Sequence, residues 1–164
     1  MTATKTLLIL WHSTSGGTRQ MAAAAAAVRI PGVAVRLLGA DQAEARDVLA
    51  ADGYIFATPE MLAGMAGAMK ACFERCYYPA LDRVNGRPYA LLVCAGSDGE
   101  NAVRQVQRIA TGWRLRLVAA PVIIRTGAQT PAAILAPKQI AADDLARCAD
   151  LSAALAEGLA LGIF

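Results

Sequence analysis

From Leu7 to Thr18 the chain reads Leu-Leu-Ile-Leu-Trp-His-Ser-Thr-Ser-Gly-Gly-Thr, an apolar run ending in hydroxyls and glycines directly before an alanine-rich stretch. An apolar run this short, bounded by turn residues, suits a strand buried on both faces, and the alanines after it suit a helix. Strand, tight turn and helix in immediate succession make a cradle for an anion. Ser13, Thr14, Ser15 and Thr18 supply hydroxyl donors, and Gly16 and Gly17 let backbone amides approach closely. The helix then points the positive end of its dipole at the same spot, an arrangement that suits a phosphate dianion. The plainer alternative, a capped helix start, needs only one of these hydroxyls.

What the loop lacks narrows the ligand. A nucleotide triphosphate loop ends in Gly-Lys-Ser/Thr, whereas this one reads Gly17-Thr18-Arg19. A dinucleotide fingerprint needs glycines in G-x-G-x-x-G register, which Gly16-Gly17 does not provide. A cysteine-based phosphatase loop would open on Cys and close on Arg, but positions 12 and 13 are His and Ser, so no covalent phosphoryl chemistry is expected.

A chain of 164 residues that is 56% hydrophobic is expected to form one domain over residues 1–164, with a core large enough for three layers. The net charge of +3 is small and no basic stripe is visible, so nucleic-acid binding is not expected. The Leu7–Trp11 run is too short for a leader or a membrane span and the Ala22–Ala27 tract is insufficiently apolar, which points to a cytoplasmic protein away from membranes. Cys72, Cys76, Cys94 and Cys148 sit in apolar contexts without metal-ligand spacing and read as buried, reduced thiols, with no metal expected.

Apolar runs at Thr6–Trp11, Val33–Leu38, Gly53–Thr58, Tyr89–Ala95 and Leu117–Arg125 alternate with helical patterns, the signature of a parallel sheet covered on both faces. Helices are expected over Thr18–Arg29, stopped by Pro31-Gly32, and over Asp41–Ala51. A third is expected through Leu62, Met65, Met69, Cys72 and Cys76, a fourth through Val103, Val106, Ala110 and Trp113, and a last through Leu145 to Leu159. This predicts an α/β, doubly wound, five-stranded parallel sheet of order 2-1-3-4-5 in three α/β/α layers. Ligands in such sheets sit beyond the carboxyl ends of the strands, where strand order reverses. Three loops converge there: Ser13–Thr18, Thr58–Gly67 and Gly96–Asn101.

These residues resemble the flavodoxin-like FMN proteins, including their NADPH-dependent FMN reductase and quinone reductase relatives, over nearly the whole chain. Ser-x-Ser-Gly-x-Thr at 13–18 is similar to the family's phosphate loop, Ala57–Glu60 through Met69-Lys70 to its second flavin loop and following helix, and Ala95–Asn101 to its third. By this resemblance Ser13, Thr14, Ser15, Gly16, Gly17 and Thr18 would bind the FMN phosphate. Thr58, Pro59, Glu60, Met61 and Leu62 would edge the isoalloxazine, in part through backbone amides, and Ala95, Gly96, Ser97, Asp98 and Gly99 would approach its pyrimidine side or ribityl chain.

The resemblance implies an FMN-dependent oxidoreductase that passes reducing equivalents from NADPH or NADH to a quinone, free flavin or similar small acceptor. The alternative is a non-catalytic electron carrier that docks partner proteins. Residues 59–62 contain no glycine for a flippable peptide beside the ring, which favours two-electron traffic and the enzyme. A signalling receiver domain shares the strand order but needs carboxylates where this chain has His12-Ser13 and Ala57-Thr58. No catalytic acid or base is expected, because a flavin carries the redox chemistry itself. His12, Arg19 and Lys70 read as strand-end or solvent-facing residues. Trp11 and Trp113 read as core, and the Met61, Met65, Met69 series as chiefly a helix face. Tyr77-Tyr78-Pro79 would follow the third helix and either pack as a corner or line the open flavin face. The apolar C-terminus from Leu159 to Phe164 would dock on its own sheet or on a second copy in a homodimer.

Overall fold

Consecutive residues of the central strands enter two different cores, as a sheet with both faces covered requires. In β1 (Lys5–Trp11) Leu8 and Leu10 face one cluster while Leu7 and Ile9 face the other. In β3 (Gly53–Met61) Tyr54 and Phe56 join the first, and Ile55 and Ala57 the second. The computed structural model describes residues 3–164. Its helices sort by face: α1 (Gly17–Ala26) and α6 (Ala142–Leu161) pack together on one side, and α2 (Ala45–Ala50), α3 (Gly67–Ala80) and α4 (Glu100–Gly112) on the other. On that second side Phe56, Phe73 and the fully buried Trp113 meet edge to face in a row, and Tyr77 stacks on Trp113.

β2 (Val33–Gly39), β1, β3 and β5 (Pro88–Ala95) lie side by side and parallel, with Leu10 level with Leu38 and Phe56, and Phe56 level with Leu91. The fifth position is filled by two short strands that both pair with β5: β6 (Arg116–Leu117) and β7 (Val122–Arg125). The expected order 2-1-3-4-5 is therefore present, but its last strand is broken. Pro121 supplies no N–H to a ladder at that point, and the chain leaves the sheet around Ala119-Ala120.

Two further departures bear on function. The third helix begins at Gly67 rather than Leu62, because β3 runs on to Met61 and turns back as β4 (Gly64–Met65) in a two-residue hairpin. Met61, Met65 and Met69 thus belong to two strands and a helix, and Tyr77, Tyr78 and Pro79 lie inside α3 instead of after it. A short helix the periodicity did not announce, α5 (Pro131–Leu135), crosses above the carboxyl end of the sheet. At the opposite end, Phe164 folds back onto Gly158 with the Arg116 guanidinium 5.6 Å above its ring, while Leu161 and Ile163 stay exposed. Among the described residues no helix is long and apolar enough to cross a membrane.

Candidate functional site

The turn after β1 spends few of its donors on itself. Gly16 caps α1 in the left-handed region (φ 92°) without any side-chain cap, so the plain capped-helix reading does not hold. The first intrahelical bond is from the Gln20 N–H to the Gly16 carbonyl, 3.2 Å, which leaves the Gly17, Thr18 and Arg19 amides without helical acceptors. Ser13 Oγ accepts the Gly16 N–H at 3.1 Å and sets the turn. Thr18 is 1% exposed and its Oγ1 has no hydrogen-bond partner, although buried hydroxyls are rarely left so. Both features face one cleft, floored by the ends of β1, β3 and β5.

Ser13, Thr14, Ser15, Gly17 and Thr18 line this cleft together with Pro59, Glu60, Met61, Ala95 and Gly96. Three loops distant in sequence are thereby brought to one place. The Thr14 hydroxyl donates to Met61 Sδ at 3.7 Å, joining the first loop to the second. Glu60 Oε2 accepts the Gly99 N–H at 2.6 Å, joining the second to the third, so Glu60 is a tie between loops and not a free surface acid. Gly17 and Gly96 are the points of this cleft where the backbone leaves no room for a side chain. A Cβ on Gly17 would lie 2.6 Å from Cys94 Sγ, and one on Gly96 would lie 2.5 Å from the Ala128 carbonyl oxygen.

Other residues expected here stand outside the cleft. The buried Thr58 hydroxyl donates to the Pro59 carbonyl (2.9 Å) and accepts the Ala66 N–H (3.1 Å), pinning the hairpin to the start of α3. Leu62 sits at the hairpin tip, wholly exposed. Ser97 and Asp98 are exposed, with the Asp98 carbonyl held by Arg125 Nε at 2.9 Å. Gly99 is buried, its φ of 93° starts α4, and its amide is taken by Glu60. Gly16 lies on the outer side of its own turn. Within the second loop Pro59 has no N–H, and the Met61–Gly64 pair closing a two-residue turn commits the Met61 amide to the hairpin, which leaves that of Glu60 pointing away from β4.

The hairpin itself is held from α4. Asn101 Nδ2 donates to the Ala63 carbonyl at 2.7 Å and Gln105 Oε1 accepts the Met65 N–H at 2.8 Å, while Leu62 and Ala63 take φ values of 48° and 62°. The far wall of the cleft comes from residues the sequence reading missed: Cys94, Thr126, Ala128, Ile134, Leu135 and Lys138. A local signal for part of it exists. Thr130-Pro131 is an N-cap followed by proline at the first helical position, and Thr130 Oγ1 accepts the Ala133 N–H at 3.2 Å.

Lys138 fastens this wall to the phosphate-type turn. Its N–H donates to the Ser15 carbonyl at 2.8 Å, and its ammonium donates to the Ala133, Ile134 and Ala136 carbonyls at 2.7, 2.9 and 2.6 Å. Gln20 ties the same segment from α1, donating to the Lys138 carbonyl (2.8 Å) and accepting the Ile140 N–H (3.1 Å). The cleft therefore carries one ammonium, several spare amides and an unpartnered hydroxyl at its phosphate end. Burial pushes the Cys94 thiol up, against a smaller opposing pull from Lys138, so the floor is neutral at physiological pH.

Comparison with known proteins bears on the fold and the family. The structure resembles a WrbA-like flavodoxin of Agrobacterium tumefaciens, with a TM-score of 0.72 and 16% identity over 96% of this chain and 98% of that one. It resembles flavodoxin 1 of Bacillus cereus, with a TM-score of 0.73 and 17% identity over 93% and 98%. Megasphaera elsdenii flavodoxin, in its two-electron reduced form, gives 0.69 and 18% over 92% and 98%. These likenesses establish the flavodoxin-like fold. No curated protein sequence matches the chain. Residues 39–129, which hold the second and third loops of the cleft, match the family model for NADPH-dependent FMN reductase, and the chain belongs to that family.

Proposed function

We propose that the whole chain acts as one FMN-binding oxidoreductase domain that takes reducing equivalents from NADPH or NADH and delivers them to a small acceptor such as a quinone or a free flavin, in the cytoplasm. The observation that carries the reading is the unpartnered Thr18 hydroxyl beside free helix amides on the cleft that three loops enclose. A phosphate monoester accepts hydrogen bonds and has none to give at neutral pH, so it complements a site built of spare donors. The residues present thus fit FMN. Ser13, Thr14, Ser15, Gly17 and Thr18 would hold its phosphate, and Lys138 would add the nearby positive charge. Pro59, Glu60 and Met61 on one side, with Ala95 and Gly96 on the other, would edge its ring. Thr58, Leu62, Ser97, Asp98 and Gly99 support this reading as the frame of those two loops.

Bound there, FMN supplies the electron-accepting ring. The protein's part is orientation. Glu60 and the Asn101 and Gln105 braces fix the second loop against the third, so the two edges of a flat ring meet a preset gap. Leu62 at the exposed hairpin tip suits contact with a docked redox protein, which keeps the electron-carrier reading alive beside the enzymatic one.

Calorimetric titration of apoprotein tests the cofactor. FMN should bind at least a hundredfold more tightly than riboflavin, since only FMN has the phosphate, and equal affinities would overturn the assignment. Anaerobic mixing of FMN-loaded protein with NADPH or NADH then tests the activity. Rapid loss of flavin absorbance without any partner supports the enzyme, and no loss supports the carrier.

A further inference from the structure

β2 has β1 on one side and no strand on the other, over a run of seven residues without proline. The Lys5 N–H donates to the Gly32 carbonyl at 2.9 Å and the Ala40 N–H to the Trp11 carbonyl at 2.8 Å, which fixes the alternation of the parallel ladder between them. Even-numbered residues of β2 turn their backbone groups to β1. Those of Val33, Val35 and Leu37 therefore point outward, where the Ile30 carbonyl occupies only the Val33 N–H, at 3.1 Å. Among the described residues no backbone group outside the strand takes the others. The side chains are as open as the backbone. Val33, Val35 and Leu37 stand on the face of α1 and α6, the two valines half-buried and Leu37 41% exposed. On the other face Ala34 and Arg36 are exposed, and the Arg36 guanidinium is held by Asp47 at 2.9 Å.

We propose that β2 pairs antiparallel with β2 of a second copy across a two-fold axis at Val35, joining two sheets into one. Pairing about a two-fold sets each residue opposite one of the same run, and the centre decides which. Centred on Arg36, two guanidinium side chains would face each other at the closest spacing of the ladder. Centred on Leu37, Val35 would face Gly39, which has no side chain to cover it. Centred on Val35, Val33 meets Leu37 and Val35 meets itself in one apolar row, while Arg36 meets Ala34. The outward backbone groups match in the same register. The two Val35 residues exchange N–H and carbonyl, and each Leu37 N–H meets the Val33 carbonyl of the second copy. The bond left unmade is the one from the Val33 N–H, which Ile30 already holds. The same groups serve both copies, as an isologous interface requires, so the assembly closes at two. β2 lies outside the flavin cleft, and the inference stands or falls independently of that reading.

A ladder this short is at the small end of protein interfaces, so association should depend on concentration in the micromolar range. Sedimentation equilibrium on the full chain, with and without FMN, over about 1–300 µM should show monomer and dimer in exchange. Val35→Pro removes the central donor, an N–H that the monomer leaves on its edge and that proline can therefore replace. It should weaken the dimer by about tenfold or more. Leu37→Lys, at an exposed position, should do likewise, and it reports on pairing even where the proline disturbs folding. Register is read by cross-linking. A mixture of Ala34→Cys and Arg36→Cys chains should form a disulfide-linked dimer on mild oxidation, and either chain alone should form little. The proposal is overturned if the parent chain is monomeric throughout, if Leu37→Lys dimerises as the parent does, or if Arg36→Cys alone cross-links as fast as the mixture.

Discussion

Among the described residues two buried hydroxyls lack partners, and they separate binding from stability at the scale of single residues. Ser152 on α6 and Thr18 on α1 each leave an oxygen unsatisfied, a state that costs about 1–3 kcal/mol. Only Thr18 lines the cleft. Thr18→Val keeps the shape and removes the orphan, so its melting temperature should hold or rise while FMN affinity falls by roughly tenfold, the worth of a hydrogen bond to a charged group. Ser152→Ala should raise stability by about 1 kcal/mol and leave FMN affinity unchanged, as thermal melts and fluorescence titration would show. Cys94 gives a second readout. It is 8% exposed on the cleft floor, whereas Cys72, Cys76 and Cys148 are at most 1% exposed. Burial raises its pKa, so the reactive thiolate is scarce at neutral pH and grows only as pH climbs above the ordinary thiol range. Alkylation followed by mass spectrometry should therefore find Cys94 modified first, faster toward alkaline pH, and protected by FMN.

At the scale of elements, the hairpin after β3 shows where local sequence stops being informative. Two-residue hairpins favour Asn-Gly because both turn residues need positive φ, yet here the turn is Leu62-Ala63. With methionines four residues apart on either side, the pattern imitates a helix. What imposes the turn comes from elsewhere in the chain: Asn101 and Gln105 on α4 grip it, and Glu60 reaches Gly99. Ala63→Gly should remove the left-handed penalty and stabilise the protein by about 1 kcal/mol, measured by denaturant unfolding. The first loop was legible because its hydroxyls, glycines and helix are contiguous in Ser13–Thr18. The wall formed by Thr126 to Lys138 was not, since nothing in its composition says that Gln20 and Ser15 hold it over the cleft.

At the scale of the whole molecule, the parallel strands and their alternation with helices followed from apolar runs and their spacing, because a parallel sheet buried on both sides leaves its strands little choice. The fifth strand resisted for a chemical reason already visible in the sequence, since Pro121 lacks the donor a continuous ladder needs. The break has a consequence for how copies of the protein behave at high concentration. An outermost strand with an unbroken row of free amides and carbonyls is a template on which another chain can polymerise, and short or interrupted edges blunt that risk. The opposite edge, β2, keeps seven residues in one run, whereas on this side of the sheet β6 has two residues and β7 four, so neither offers a run long enough to recruit a neighbour. Pro121→Val should restore the missing donor and lengthen this margin. Light scattering on concentrated, partly destabilised samples should then show faster growth of insoluble fibrillar material than the parent protein gives, so the proline that breaks the sheet also guards solubility.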